Sequence, residues 1–223
     1  MKLTELLSVR PGITALIGSG GKTTALYLLA HELQSSGTVL CTTTTHIRPP
    51  SHIPLLTAPT YYTLTSALRS HRCLCLGTPD GHNKLTAPSI PIPHLAQIAD
   101  YVLVEADGSR GLPLKAHLPH EPVIPPGTTQ TILLVGASAF HHPAQETAHR
   151  PDHFCALAGI TPQTPIAPYH IASVLLHENL GSKIFINQVE SREALTQAQA
   201  LASLMHKPVF AGSLKGEYWI CLS

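Results

Sequence analysis

The sequence predicts a doubly wound α/β fold on a mostly parallel sheet. Short apolar runs of strand length, flanked by Gly, Pro, Thr or Asp, alternate with helical patterns. Runs that are apolar throughout, without period-two alternation, suit strands buried on both faces, and intervening helices then impose right-handed parallel crossovers.

In chain order, residues 13–17 read as the first strand. Leu26, Leu29, Ala30 and Leu33 then mark one face of a helix. Further strands are expected at 39–41, 73–76, 101–104, 132–135, 184–186 and 209–211. A second clear helical pattern, Ala194, Leu195, Ala198, Leu201, Ala202 and Met205, starts from Ser191 as its cap. Residues 48–59 and 76–93 are rich in proline, histidine and threonine, hold no sustained period, and read as loop insertions on the ligand face. Trp219 reads as a lid packed on the last strand. The expectation is a single nucleotide-binding domain over residues 1–223.

Composition narrows the function. Charged residues make up 12% of the 223 and hydrophobic ones 43%, enough for a sizeable core. The formal net charge is +1 with no basic run, which argues against nucleic acid or an anionic membrane surface as the main partner. Protonating the fifteen histidines would load the chain with positive charge, so acid should weaken the fold. The five cysteines, Cys41, Cys73, Cys75, Cys155 and Cys221, show no C-x-x-C spacing and suit reduced thiols in a cytoplasmic protein. No apolar run approaches the ~18 residues of a membrane span.

The stretch Gly18-Ser19-Gly20-Gly21-Lys22-Thr23-Thr24 follows the first strand and opens the first helix, the arrangement of a phosphate loop. Glycines permit positive φ, and backbone N–H groups at a helix N-terminus attract phosphate oxygens. Lys22 would reach the β- and γ-phosphates and the Thr23 hydroxyl would ligate Mg²⁺. The usual G-x-x-x-x-G-K-[ST] spacing would need glycine where Leu16 sits, so this loop is a shortened variant. Together with the strand pattern it points to a sheet of the P-loop NTPase type.

A phosphate loop needs an acid on a neighbouring strand. Residues 101–104 lead into Glu105 and Asp107, which a two-residue period puts on one face. Glu105 is expected on the Mg²⁺, with Asp107 as outer ligand or water-positioning base. An ion pair with Arg110 or Lys115 is the plainer alternative. Thr44, in the run 42–45 after the second strand, is a candidate sensor of the γ-phosphate or its metal. Arg110, Lys115, His117 and His120 form a cationic loop after the acid strand, where Arg110 would stabilise transferring phosphoryl charge and the others would meet a second anionic substrate. A zinc site from His117, His120 and Glu121 lacks a visible fourth ligand. Cys73 and Cys75 share one strand face, as core residues or as a pair of thiols for selenium or metal.

With these motifs in place, the chain resembles the YqeC family, accessory proteins for selenium-dependent molybdenum hydroxylases. The resemblance spans nearly the whole chain. It is most specific in residues 105–125, which open Glu105-Ala106-Asp107-Gly108-Ser109-Arg110-Gly111-Leu112-Pro113-Leu114-Lys115, and it includes His149-Arg150-Pro151-Asp152 and the loop 18–24. It implies a nucleotide-binding protein, using Mg²⁺ with ATP or GTP, in selenium cofactor biosynthesis or insertion, with such a hydroxylase or its cofactor as partner. It also implies a base-recognition element of Asn-Lys-x-Asp type, which here reads Asn187-Gln188-Val189-Glu190. Gln188 and Glu190 depart from that pattern, so the base stays open between adenine and guanine, while Asn187 remains a nucleotide-binding candidate. Three functions follow: an NTP-hydrolysing maturation factor, an amide ligase like the Mur ligases whose phosphate loop this one also resembles, or a nucleotide-sensing chaperone without turnover.

Overall fold

The computed structural model describes residues 1–223. Nine strands form the sheet: β1 (Gly12–Gly18), β2 (Val39–Thr43), β3 (Leu55–Leu56), β4 (Cys73–Leu76), β5 (Tyr101–Glu105), β6 (Thr128–Gly136), β7 (Lys183–Asn187), β8 (Val209–Ser213) and β9 (Tyr218–Cys221). Their order is β9-β8-β7-β6-β1-β5-β2-β4-β3. The pairs β1–β5, β5–β2, β2–β4, β4–β3, β6–β7 and β7–β8 are parallel, and β8–β9 is antiparallel. From β1 the chain winds to β2, β3 and β4, returns to β5, and then builds outward through β6, β7 and β8. That reversal of direction defines a doubly wound sheet, in which ligands bind beyond the carboxyl ends of the strands. The fold is α/β, as the alternating pattern predicts.

Two compact units divide the chain. Residues 1–16, 23–107 and 122–130 form the first, which carries most of helix α1 (Lys22–Leu33) and all of α2 (Tyr61–Ser70). All five residues of β2 and all four of β4 are buried, which is why these strands read as unbroken apolar runs. Leu26, Leu29, Ala30 and Leu33 of α1 are buried, as their spacing requires. Helix α2 is not anticipated by the sequence reading: Tyr61, Tyr62, Thr63 and Thr65 are β-prone, and only Leu64 and Leu68, four apart, are buried. Capping decides the matter, since the Thr60 hydroxyl accepts from the Thr63 N–H. The proline-rich segments contain only β3, the two-residue strands Thr78–Pro79 and Leu85–Thr86, and the helical turn Ile92–Leu95.

Residues 17–22, 108–121 and 131–223 form the second unit, with helices α3 (Pro151–Ala158), α4 (Pro168–Glu178) and α5 (Arg192–Ala202). Proline occupies the first turn of α3 and of α4, and Gly159 (φ +68°) and Asn179 (φ +49°) end them in the left-handed conformation. The Lys207 ammonium donates to the carbonyls of Asn179, Leu180 and Gly181, completing the C-terminal end of α4. Ser191 caps α5 by accepting from the Ala194 N–H at 3.0 Å. The helix stops at Ala202, so Met205, expected on its apolar face, lies beyond it. Trp219 is a correction of another kind. It is not a lid over the last strand but a member of it, paired with Gly212 in the antiparallel edge strand β9. No helix is long and apolar enough to cross a membrane.

Candidate functional site

The loop that leaves β1 is built on three residues in left-handed backbone conformations: Gly18 (φ +87°), Gly20 (φ +80°) and Gly21 (φ +129°). Side chains at these positions would strike the protein itself. A Cβ on Gly20 would lie 2.5 Å from the Gly136 N, one on Gly18 would meet the Leu134 carbonyl, and one on Gly21 would meet the Asn187 amide. The glycines therefore serve first to seat the loop against the ends of β6 and β7.

Backbone donors divide accordingly. The Ser19 N–H donates to Leu134 O at 2.8 Å and the Gly20 N–H to Leu112 O at 3.2 Å, while the Ser19 hydroxyl also donates to Leu112 O at 2.5 Å. The donors that remain for an anion are those of the first turn of α1, where geometry gives the Thr23 and Thr24 N–H groups no intrahelical acceptor. Lys22 is buried, and its ammonium donates to Gly18 O at 2.7 Å and to the Ser109 hydroxyl at 3.2 Å. Sequence reasoning missed Ser109 as a contact of Lys22, because the two meet only through the return of a loop 87 residues away.

Asn187, at the end of β7, is buried and spans two elements. Its Nδ2 donates to Gly20 O at 2.7 Å and its Oδ1 accepts from the Leu214 N–H at 2.9 Å. Both ends of its amide are thus engaged, one on the glycine loop and the other on the segment after β8. Gln188 (φ +64°) accepts from the Ser138 hydroxyl through Oε1, and Glu190 accepts from the Ser213 hydroxyl at 3.2 Å.

At the end of β5, the Glu105 carboxylate accepts from the Thr23 hydroxyl at 2.7 Å. Glu105 and Asp107 are both buried. The threonine run after β2 is pinned beside them. Thr42 donates to Leu76 O, Thr43 to Glu105 O at 2.8 Å, and Thr44 to Val123 O at 2.8 Å. Thr23 and Glu105 thus bring two hard oxygen donors together, the kind of group that could hold Mg²⁺.

The loop after β5 sorts its cations by burial. Arg110 (φ +52°) and His120 are exposed. Lys115 and His117 are buried with their polar atoms engaged inside the protein. Lys115 donates to Gly108 O at 2.6 Å and pairs with Glu121 at 2.9 Å. Arg150 grips the same carboxylate through two nitrogens, at 2.6 and 3.1 Å. Partial burial opposes charge on Glu121, but these hydrogen bonds and cations outweigh it and hold the carboxyl at about 2. His117 meets Glu178 at its backbone N–H (2.5 Å) and Nδ1 (2.8 Å), and its carbonyl lies 2.9 Å from His153 Nε2. Glu178 carries no motif that would have announced this role. With His117 and Glu121 so engaged, they do not gather with His120 as zinc ligands, and the chain has no group of three or more His, Cys, Asp or Glu side chains arranged for a metal ion.

All five cysteines are free thiols. Cys41, Cys73 and Cys75 are buried, and burial pushes the Cys75 thiol up to about 12. A hydrogen bond between Cys41 and Cys73 raises the first thiol and lowers the second.

A family model described as YqeC protein matches residues 14–152, which take in the glycine loop, the acid strand and the Glu121–Arg150 pair. The uncharacterized protein YqeC of Escherichia coli (strain K12) is 33% identical over 220 residues, covering 91% of this chain and 86% of its own length. Among solved structures, the signal recognition particle 54 kDa protein from Aeropyrum pernix K1 in complex with GDP aligns with 96% of this chain and 44% of its own, at a TM-score of 0.41 and 15% identity. The chain spans less than half of that protein's length. Its sequence relationship across most of its length settles the family: this chain belongs to the YqeC family.

Proposed function

We propose that this protein binds a nucleoside triphosphate with Mg²⁺ at residues 18–24 and hydrolyses it. The observation that carries the reading is the 2.7 Å contact between the Thr23 hydroxyl and the Glu105 carboxylate, in the first turn after a left-handed glycine loop. The first-turn amides of α1 and the positive end of its dipole bind phosphate oxygens. Lys22 exchanges its ties to Gly18 O and Ser109 for the β- and γ-phosphates. Thr23 and Glu105 hold the metal, which when bound supplies charge neutralisation at the terminal phosphate. Asp107 orients the attacking water, and Arg110, exposed at the tip of its loop, folds in to offset developing charge. Asn187 keeps Gly20 in place and leaves base choice to other groups.

The resemblance over residues 105–125 supports a role for that turnover in the biosynthesis or insertion of the selenium cofactor of molybdenum hydroxylases. The direct test is phosphate release from ATP and GTP with Mg²⁺, set beside the Lys22→Ala variant. Release by the native protein that collapses in the variant supports the reading, and equal release by both removes Lys22 from it. The cellular role is tested by selenium content and activity of such a hydroxylase purified from cells lacking this protein; normal values would refute that role.

A further inference from the structure

A cavity of about 730 Å³ lies within the first compact unit, between α1, the segment 48–54 and the start of β4. Its size falls in the range of small-molecule sites. Its chemistry is one-sided. Arg48 and Arg72 line it with His31, His52 and His71, and no aspartate or glutamate does. The rest of the lining mixes Thr23, Gln34, Ser51 and Ser70 with apolar and aromatic groups, notably Tyr27, Ile53 and three prolines. Asp100 offsets part of the Arg72 charge from outside the cavity, and the Arg72 guanidinium also reaches the Gln34 carbonyl at 3.5 Å.

The rim is prepared rather than loose. Pro49, Pro50 and Pro54 stiffen the segment that crosses the opening. The Tyr27 hydroxyl donates to Arg48 O at 3.1 Å, tying that segment to α1. Thr23, the hydroxyl that touches Glu105, belongs to the same wall.

We propose that this cavity binds a small molecule carrying an oxyanion, carboxylate or phosphate, on a partly apolar body. Two guanidiniums in a lining without a carboxylate select an oxyanion, and Tyr27 and Ile53 receive the apolar body.

Calorimetric titration with phenylphosphonate, and with neutral benzyl alcohol as its control, tests the cavity. Saturable binding of phenylphosphonate but not benzyl alcohol is expected, weakened roughly tenfold or more in Arg48→Ala/Arg72→Ala. Both arginines are exposed, so circular dichroism and melting of the double variant should match the native protein. Binding no tighter than benzyl alcohol, or unchanged by the double substitution, overturns the proposal. A parallel titration of the native protein with Mg·ATP and Mg·GTP separates the two ideas. Phenylphosphonate binding without any triphosphate binding would support the cavity assignment and refute the nucleotide reading alone. Triphosphate binding without phenylphosphonate binding would refute the cavity assignment alone.

Discussion

Substituting Asn187 by alanine separates a brace from a base contact. Its side chain is buried, with Nδ2 on Gly20 O at 2.7 Å and Oδ1 under the Leu214 N–H at 2.9 Å. Alanine leaves one carbonyl and one N–H without these partners in a closed setting, each costing ~1–3 kcal/mol, so the fold should lose about 2–6 kcal/mol. In a chain of this size each kcal/mol moves the melting temperature by roughly 2–4 °C, which puts the expected fall at about 4 °C or more. Asn187→Asp is the informative companion: it keeps an acceptor for Leu214 but sets a carboxylate oxygen against the Gly20 carbonyl, so it too should destabilise the loop. Thermal unfolding followed by circular dichroism reads both, and titration with ATP and GTP should show both weakened by a similar factor. A melting temperature within about 1 °C of the native value would refute the brace, as would a change in ATP-to-GTP preference at unchanged stability.

Lys22→Ala should lower phosphate release by roughly 10²- to 10³-fold, the usual cost of losing one charge-stabilising donor; steady-state release assays measure it. Thr23→Ala should raise the Mg²⁺ concentration needed for half-maximal release, since it removes one of the two proposed metal ligands. Gly20→Ala, which strains a φ of +80° and drives a methyl group to 2.5 Å from Gly136 N, should melt several degrees below the native protein. Acid should expose the Glu121 network. Its folded carboxyl titrates at about 2 against 4.5 in the unfolded chain, so its contribution is complete above 4.5 and fades as pH falls toward 2. His149 and His170 are lowered, first by burial, so their contribution is lost as pH drops below about 6.5, where the unfolded chain takes up protons first. Melting temperatures from pH 7 to pH 3 should therefore fall in Glu121→Gln less steeply below pH 4.5 than in the native protein.

Much of the sheet was legible because seven of its strands carry a buried apolar run, and the runs at 39–41 and 132–135 were read short where Thr42 and Thr43 extend β2 and where residues 128–131 and Gly136 extend β6. Strand β9 escaped notice because an edge strand with Tyr218 and Ile220 exposed carries no buried signature. The glycine loop after β1 and the meeting of Thr23 with Glu105 were legible from residue type and spacing. What spacing does not reveal is where a polar group turns once the chain has folded. Asn187 was read through its motif as facing a base, and its amide instead holds Gly20. Lys115 and His117 were read as a charged loop open to substrate, yet they close on Glu121 and Glu178, contacts that depend on burial.

The central claim is that the loop at residues 18–24, with Lys22, Thr23 and Glu105, holds a polyphosphate. Isothermal titration of the native protein and of Lys22→Ala with Mg·ATP and Mg·GTP tests it most directly. The account predicts saturable heat at one site per chain with at least one of the two, sharply reduced in the variant. Absence of heat with both triphosphates, or identical binding by the variant, would contradict it.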